Sequence, residues 1–253
     1  MNEPSKIHTT PPAKFLLATL FFYLFSLSVL IPVFPALIEL SIPTFLSEDK
    51  AEVETTARYG DLQVLKSVLD LVSLPILGGL SDFLGRKRVM VFCLMLLFLQ
   101  SLLIWPSKLF TFEIDEERSQ AEADRYYFML KVTRVLSGLS DGVIPLVFAS
   151  LTDLTKGNAL LLPIYYGKVG LVLGLAFVCG PVTGAILSSK FTLAAAVMVC
   201  GLSAVISLLI YATSCKDTLP VSKRSPVPPR WWVDVRFLAQ MTPLAQVKFF
   251  LTR

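Results

Sequence analysis

Four long runs without a charged residue constrain the fold of this chain more than any other feature. They cover residues 15–38, 89–107, 169–189 and 191–215. Crossing about 30 Å of hydrocarbon takes about 20 helical residues, so each run is long enough to span a bilayer. Charged residues make up only 17% of the chain, against about 25% in ordinary soluble domains. The sequence therefore predicts an integral membrane protein.

Two further apolar runs carry charged residues. The run 61–81 contains Lys66 and Asp70, and the run 126–151 contains Lys131, Arg134 and Asp141. Backbone groups in lipid must be satisfied within a helix or a closed barrel, and these runs do not alternate as barrel strands do. We therefore predict an all-α bundle of six transmembrane helices. Their ranges are 15–40, 61–81, 89–107, 126–151, 160–189 and 191–215, between an N-terminal tail (1–14) and a basic, proline-containing tail (216–253).

Lysine and arginine concentrate in both tails and in the loops that follow the second and fourth predicted helices. Cytoplasmic loops of membrane proteins carry an excess of these residues. We therefore predict that both termini are cytoplasmic. The basic C-terminal tail favours anionic lipid headgroups over nucleic acid as its partner.

Several enzyme classes are excluded by residue content. The single histidine, His8, lies in the tail, so no Ser-His-Asp triad or HExxH zinc site is available. Neither GxxxxGK[ST] nor GxGxxG occurs, which argues against a nucleotide-driven pump. The four cysteines, Cys93, Cys179, Cys200 and Cys215, have no CxxC spacing and are expected to be free thiols. We predict no enzymatic activity, no metal and no cofactor.

The short link between the second and third predicted helices contains GGLSDFLGRKR, residues 78–88. It resembles the GxLxDxxGRK signature of the major facilitator superfamily of secondary transporters. The matching residues are Gly78, Leu80, Asp82, Gly85, Arg86 and Lys87. Phe83 departs from the pattern, because family members usually have a basic residue there.

Two later stretches resemble the same family in the same order. KVTRVLSGLSDG, residues 131–142, is similar to the fourth-helix motif centred on an arginine, here Arg134. GKVGLVLGLAFVCGPVTG, residues 167–184, is similar to the fifth-helix antiporter motif. Its small-residue register contains Gly170, Gly174, Gly180, Pro181 and Gly184. The chain resembles the N-terminal six-helix half of the family, and most closely the drug/proton antiporter branch.

The resemblance implies a conformational gate at the cytoplasmic end of the bundle. Its residues are Gly78, Asp82, Gly85, Arg86, Lys87 and Asp153. The resemblance also implies that the fifth-helix motif bends the helix and seals it against a second bundle. The alternative for those small residues is simple helix packing.

Charged residues within membrane helices usually face the bundle interior and find partners. One interpretation is that Lys66 pairs with Asp70, and Arg134 with Asp141, as structural ion pairs. The other is that Asp70 and Asp141 titrate beside Arg134 and couple proton movement to solute movement. Both interpretations stay open at the sequence level.

The resemblance implies secondary active transport of a small solute by alternating access, with proton-coupled antiport, in a chain that supplies one half-bundle. Expected partners are the solute, protons, lipids and either a second six-helix half or another copy. The alternative is a truncated, non-transporting membrane protein that binds a full-length transporter or acts as a scaffold.

Overall fold

The computed structural model describes residues 11–45, 47–104, 120–155, 158 and 160–219, and every regular element among them is an α-helix. The helices are α1 (Pro11–Val29), α2 (Phe34–Glu39), α3 (Glu48–Leu84), α4 (Arg86–Ile104), α5 (Gln120–Ser140), α6 (Val143–Thr155), α7 (Leu161–Lys190) and α8 (Leu193–Ser214). Most of both predicted tails and the end of the third predicted span lie outside the described residues.

Five helical segments in the described part of the chain are long and apolar enough to cross a membrane. They are α3, α4, the α5–α6 pair, α7 and α8. The first predicted span contains a shorter apolar helix, Ala13–Val29. The all-helical membrane architecture is thus confirmed, whereas the sixth span and the cytoplasmic termini stay predictions.

Proline divides the first predicted span into two helices. α1 ends at Val29, and a turn leads into α2 at Phe34. Pro32 lacks the N–H that would bond the Ser28 carbonyl in a continued helix. Ile31 N donates to that carbonyl instead, at 3.2 Å. The sequence predicted an uninterrupted helix here because apolar composition does not reveal a break of four residues.

A second proline accounts for the break between α5 and α6. Pro145 cannot donate to the carbonyl of Asp141, four residues earlier. Asp141 and Gly142 form a turn, and Leu146 N donates to Gly142 O at 3.1 Å as α6 begins. The break leaves Asp141 at a helix junction inside the bundle.

Helix α3 is much longer than the predicted second span, because it begins at Glu48 rather than near residue 61. Its first turn carries Glu48 and Asp49, which suit the positive end of the helix dipole. A search for apolar runs misses this polar extension. The bounds of the predicted fifth and sixth spans differ from α7 and α8 by only one or two residues.

The hydrophobic core is centred on α1, which packs against α7 and α8. Leu20, Tyr23 and Leu24 of α1 are fully or almost fully buried. Among the segments long enough to span a membrane, α3 and α7 are the least buried. Only 17% of the apolar segment of α3 and 22% of that of α7 is buried. The corresponding shares for α4, α5–α6 and α8 are 39–50%. Among the described helices, exposed large hydrophobic residues are accordingly most numerous on α7 and α3.

Candidate functional site

A buried charge cluster joins three parts of the bundle. Lys66 on α3 donates to Asp70 Oδ2 at 2.8 Å and also to Asp141 Oδ2, at the α5–α6 junction. The Tyr23 hydroxyl of α1 donates to Asp141 Oδ1 at 3.0 Å. The Lys66, Asp70 and Asp141 side chains are 20–24% exposed. We call these four residues the core charge cluster.

Local sequence explains how the cluster is assembled. Lys66 and Asp70 are four residues apart, so they lie on one face of α3. Ser73 Oγ of α3 donates to Gly138 O of α5 at 2.7 Å. A Cβ atom added to Gly138 would lie 2.7 Å from the Leu69 Cβ and 3.3 Å from Asp70 Oδ1. Glycine at residue 138 therefore permits the close approach of α3 and α5 that brings Asp141 to Lys66.

Arg134 does not pair with Asp141 in the structure, because Asp141 pairs with Lys66. The guanidinium carbon of Arg134 lies 3.4 Å from the centre of the Phe34 ring of α2, as a cation–π contact. The structure therefore replaces one ion pair expected from the sequence, Arg134 with Asp141, by another. The expected pair of Lys66 and Asp70 is confirmed.

Lys66 is the residue whose role sequence reasoning missed. The sequence pairs it only with Asp70, although it also contacts Asp141, which is 75 residues away. The available signal was that Lys66, Asp70 and Asp141 all occupy the inward faces expected of charged residues in membrane helices. Choosing between Lys66 and Arg134 required the helix packing itself.

Among the buried side-chain polar atoms of the described residues that have no hydrogen-bond partner, Asp70 Oδ1 and Arg134 Nε are the two that belong to charged groups. Ser137 Oγ of α5 also lacks a partner. A buried, unsatisfied polar group destabilises a protein by about 1–3 kcal/mol. Such groups are rare and call for an explanation, of which an absent proton, ion or ligand is one.

Two of the residues predicted to form a gate, Asp82 and Asp153, contact Arg86 at the start of α4. Arg86 pairs with Asp82 at 2.6 Å and donates from Nε to Asp153 Oδ2 at 3.3 Å. Thr218 Oγ1 also donates to Asp153 Oδ2, at 3.3 Å. The expected contact between Arg86 and Asp153 is therefore present, and Asp82, at the end of α3, pairs with Arg86 across the turn at Gly85. Lys87 Nζ donates to Ala212 O of α8 at 2.9 Å.

Gly85 makes the tight turn between α3 and α4. Its φ of 99° and ψ of 147° lie in a region that only glycine adopts readily. Gly78, the first residue of the same motif, has open space around it. Gly85 is therefore the residue of this motif whose backbone conformation requires glycine.

We expect Gly85→Ala to lower the unfolding free energy by about 1–3 kcal/mol, because alanine is strained in this backbone conformation. Gly60→Ala is the matched control, since a Cβ on Gly60 of α3 meets no atom within 4 Å. Denaturation in detergent micelles, followed by circular dichroism, measures both. Equal stability of the two variants would contradict the strain at Gly85.

The fifth-helix motif divides into two kinds of position. A Cβ on Gly180 would overlap the Cβ of Ser28, and one on Gly184 would overlap Val29 O. Gly170 and Gly174 have no neighbour within 4 Å. Thus one end of the motif packs on α1, while the other faces outward on the weakly buried surface of α7. Pro181 lies within α7, which continues past it to Lys190.

The fold and its buried charges define a polytopic membrane protein. A sequence model of the Major Facilitator Superfamily matches residues 16–251. The chain belongs to this superfamily. Its relatives are transporters rather than enzymes. The four cysteines are free thiols in the structure.

Two relatives have sequences similar to most of this chain. The tetracycline resistance protein, class H, of Pasteurella multocida is 26% identical over 188 residues, which are 73% of this chain and 42% of that protein. Major facilitator superfamily domain-containing protein 10 of Homo sapiens is 28% identical over 183 residues, which are 72% of this chain and 35% of that protein.

The fold is also similar to a crystal structure of the human organic anion transporter MFSD10 (TETRAN). The TM-score is 0.68 at 22% identity, over 92% of this chain and 53% of that one. This chain therefore spans about half, or less, of the lengths of the relatives it matches.

Proposed function

We propose that the chain acts in a secondary active transporter that exchanges a small organic solute for protons by alternating access. The core charge cluster is the observation that carries this proposal. It joins α1, α3 and the α5–α6 junction, and charged residues at membrane depth commonly mark solute and proton pathways. One relative is named for resistance to tetracycline and another for transport of organic anions.

The charge balance of the cluster supports Asp70 as the proposed site of the proton. The cluster contains two carboxylates, Asp70 and Asp141, and one ammonium group, Lys66, so a second positive charge would neutralise it. Both oxygens of Asp141 accept hydrogen bonds, whereas Asp70 Oδ1 has no donor. A proton on Asp70 Oδ1 would complete the charge balance of the cluster. Movement of Lys66 between the two carboxylates would then load and release it.

The Arg86 cluster is proposed as the gate. Arg86 links the α3 end through Asp82 to the α6 end through Asp153. Asp82 is 48% exposed, so its carboxylate stays hydrated when the pair opens, whereas Arg86, which is 13% exposed, must gain water or another partner in the other state. We propose that these contacts hold one access state and separate in the other.

A second six-helix bundle is the proposed occupant of the uncovered faces of α3 and α7. Exposed apolar residues on α3 include Val64, Val68 and Leu71. On α7, Gly170 and Gly174 lie beside exposed leucines at 171 and 175. Small residues let helix backbones approach closely, which suits a sliding or rocking interface between two bundles.

The same faces favour a second candidate function, in which the chain binds a full-length transporter without carrying solute itself. Solute flux separates the two candidates. The purified chain would be reconstituted in proteoliposomes and supplied with labelled anionic, cationic and zwitterionic organic solutes in counterflow. The transport proposal expects counterflow of at least one class, and a folded chain that carries none of them would support the binding function instead.

Asp82→Asn tests the gate. We expect solute flux to fall about fivefold, because an ion pair at the end of a helix contributes about 1 kcal/mol to one access state. Membrane insertion should not change, since Asp82 lies at the helix end. Asp49→Asn, an exposed acid near the start of α3, is the matched control. Wild-type flux in Asp82→Asn would remove the gating role.

A further inference from the structure

We propose that Arg134 and Asp70 hold opposite ends of the carried solute, which is a small organic zwitterion with an anionic group and a cationic hydrogen-bond donor. This inference rests on the proposed transport function and adds the chemical class of the solute. Among the buried side-chain polar atoms of the described residues that lack a hydrogen-bond partner, two belong to charged groups: Arg134 Nε, a donor, and Asp70 Oδ1, an acceptor. The proposal starts from these two atoms.

Arg134 supplies the anion-binding end. It has no ion pair among the described residues and is held instead against the aromatic ring of Phe34. The cation–π contact orients the guanidinium without neutralising its charge. A guanidinium group binds carboxylate and sulfonate oxygens through parallel hydrogen bonds, which the phenylalanine ring cannot supply.

Asp70 supplies the end that binds a cation. Its Oδ2 accepts from Lys66, but Lys66 is shared with Asp141, so one carboxylate charge in the cluster is left over. Asp70 Oδ1 lies against Gly138, where an added Cβ atom would be only 3.3 Å away. An ammonium group of the solute would supply both the missing hydrogen bond and the missing positive charge.

Arg134 lies one helical turn from the residue of α5 that contacts Asp70. Arg134 and Gly138, which contacts Asp70, are four residues apart on α5, so they are about 6 Å apart along the helix axis. Both residues lie on the same face of the helix. A benzene ring with charged groups at opposite positions is the scaffold of the probe ligands.

The arrangement also accounts for exchange with a proton. The solute ammonium and the proton proposed on Asp70 Oδ1 would compete for the same oxygen. Neither Oδ1 nor Arg134 Nε reaches solvent in this conformation, so the solute would gain access in another state of the alternating cycle. Competition at one oxygen is a sufficient basis for antiport.

The test compares three ligands on the purified full chain by isothermal titration calorimetry in detergent. They are 4-(aminomethyl)benzenesulfonate, which carries both charges, 4-methylbenzenesulfonate, which lacks the ammonium, and 4-methylbenzylammonium, which lacks the sulfonate. The zwitterion is expected to bind at least about tenfold more tightly than either singly charged ligand. Equal affinities, or no binding of the zwitterion, would overturn the proposal.

Two variants assign the ends. Arg134→Gln should lower the affinity for the zwitterion and for the sulfonate at least about tenfold and leave the affinity for the ammonium ligand unchanged. Asp70→Asn should lower the affinity for the zwitterion and for the ammonium ligand and leave the affinity for the sulfonate unchanged. The matched controls are Arg125→Gln and Asp49→Asn, exposed residues of α5 and α3. Loss of binding of all three ligands in a folded variant would contradict the assignment of the two ends. The three-ligand comparison on the unaltered chain does not depend on any variant folding.

This test is separate from that of transport, because binding is measured at equilibrium without a membrane. Zwitterion binding by a chain that shows no counterflow would overturn the transport proposal and leave the binding site standing. Counterflow of another solute, with no zwitterion binding, would overturn only the assignment of the solute class.

Discussion

Asp141→Asn is expected to reduce proton-driven solute exchange to less than about 10% of wild type, because the proposed cycle needs both carboxylates of the core charge cluster. With asparagine at residue 141, the charges of Lys66 and Asp70 already neutralise each other. No second positive charge is then needed, and the proton has no place in the cycle. Proteoliposomes with an imposed pH gradient measure the loss.

Solute counterflow without a pH gradient provides the control on the same variant. It needs binding and alternating access but no net proton movement, so Asp141→Asn should retain counterflow at a solute concentration high enough to offset the weaker binding of the ammonium group. Folding should survive, because the amide oxygen still accepts from Tyr23 and Lys66 keeps Asp70 as its partner. Wild-type proton-driven exchange in this variant, or loss of both activities in a folded variant, would contradict the assigned role of Asp141.

Gly184→Val is expected to lower the unfolding free energy by about 3 kcal/mol, because its Cβ would overlap the backbone of α1. The nearest atom would be Val29 O, which belongs to the last turn of α1. A backbone atom cannot rotate out of the way as a side chain can, so the two helices must separate. Reversible unfolding in mixed micelles, followed by circular dichroism, measures the change.

Gly174→Val is the matched control, because it lies in the same helix and motif but has open space around it. Its unfolding free energy should stay within about 1 kcal/mol of wild type, the range of helix propensities. The same variant should reduce binding of a second bundle, if Gly174 lies in the proposed interface. Equal destabilisation by the two valines would contradict the division of the motif.

The membrane class and the family were predictable from local features. Charge-free runs of about 20 residues indicate membrane helices whatever their packing, and the motif around Asp82 and Arg86 has a fixed spacing in the sequence. The contact between Arg86 and Asp153 was also predictable, because both residues lie near helix ends on the same side. These inferences need no knowledge of how the helices cross.

The partner of Asp141 was not predictable in this way. Lys66 and Arg134 are both cations on inward helix faces, and only the close approach of α3 and α5 at Gly138 decides between them. The packing of the α7 glycines was likewise not predictable from the sequence. Gly174 and Gly184 occupy the same motif, yet Gly184 packs on α1 and Gly174 does not, because helix rotation determines which face is covered.

The central claim is that solute and protons move in opposite directions, and the internal pH of proteoliposomes tests it most directly. A pH-sensitive dye is trapped inside, potassium and valinomycin hold the membrane potential at zero, and a solute that gives counterflow is added outside. Antiport predicts that the internal pH rises as the solute enters, and that it does not change with Asp141→Asn. A fall in internal pH, or solute entry with no pH change in the wild-type chain, would contradict proton antiport.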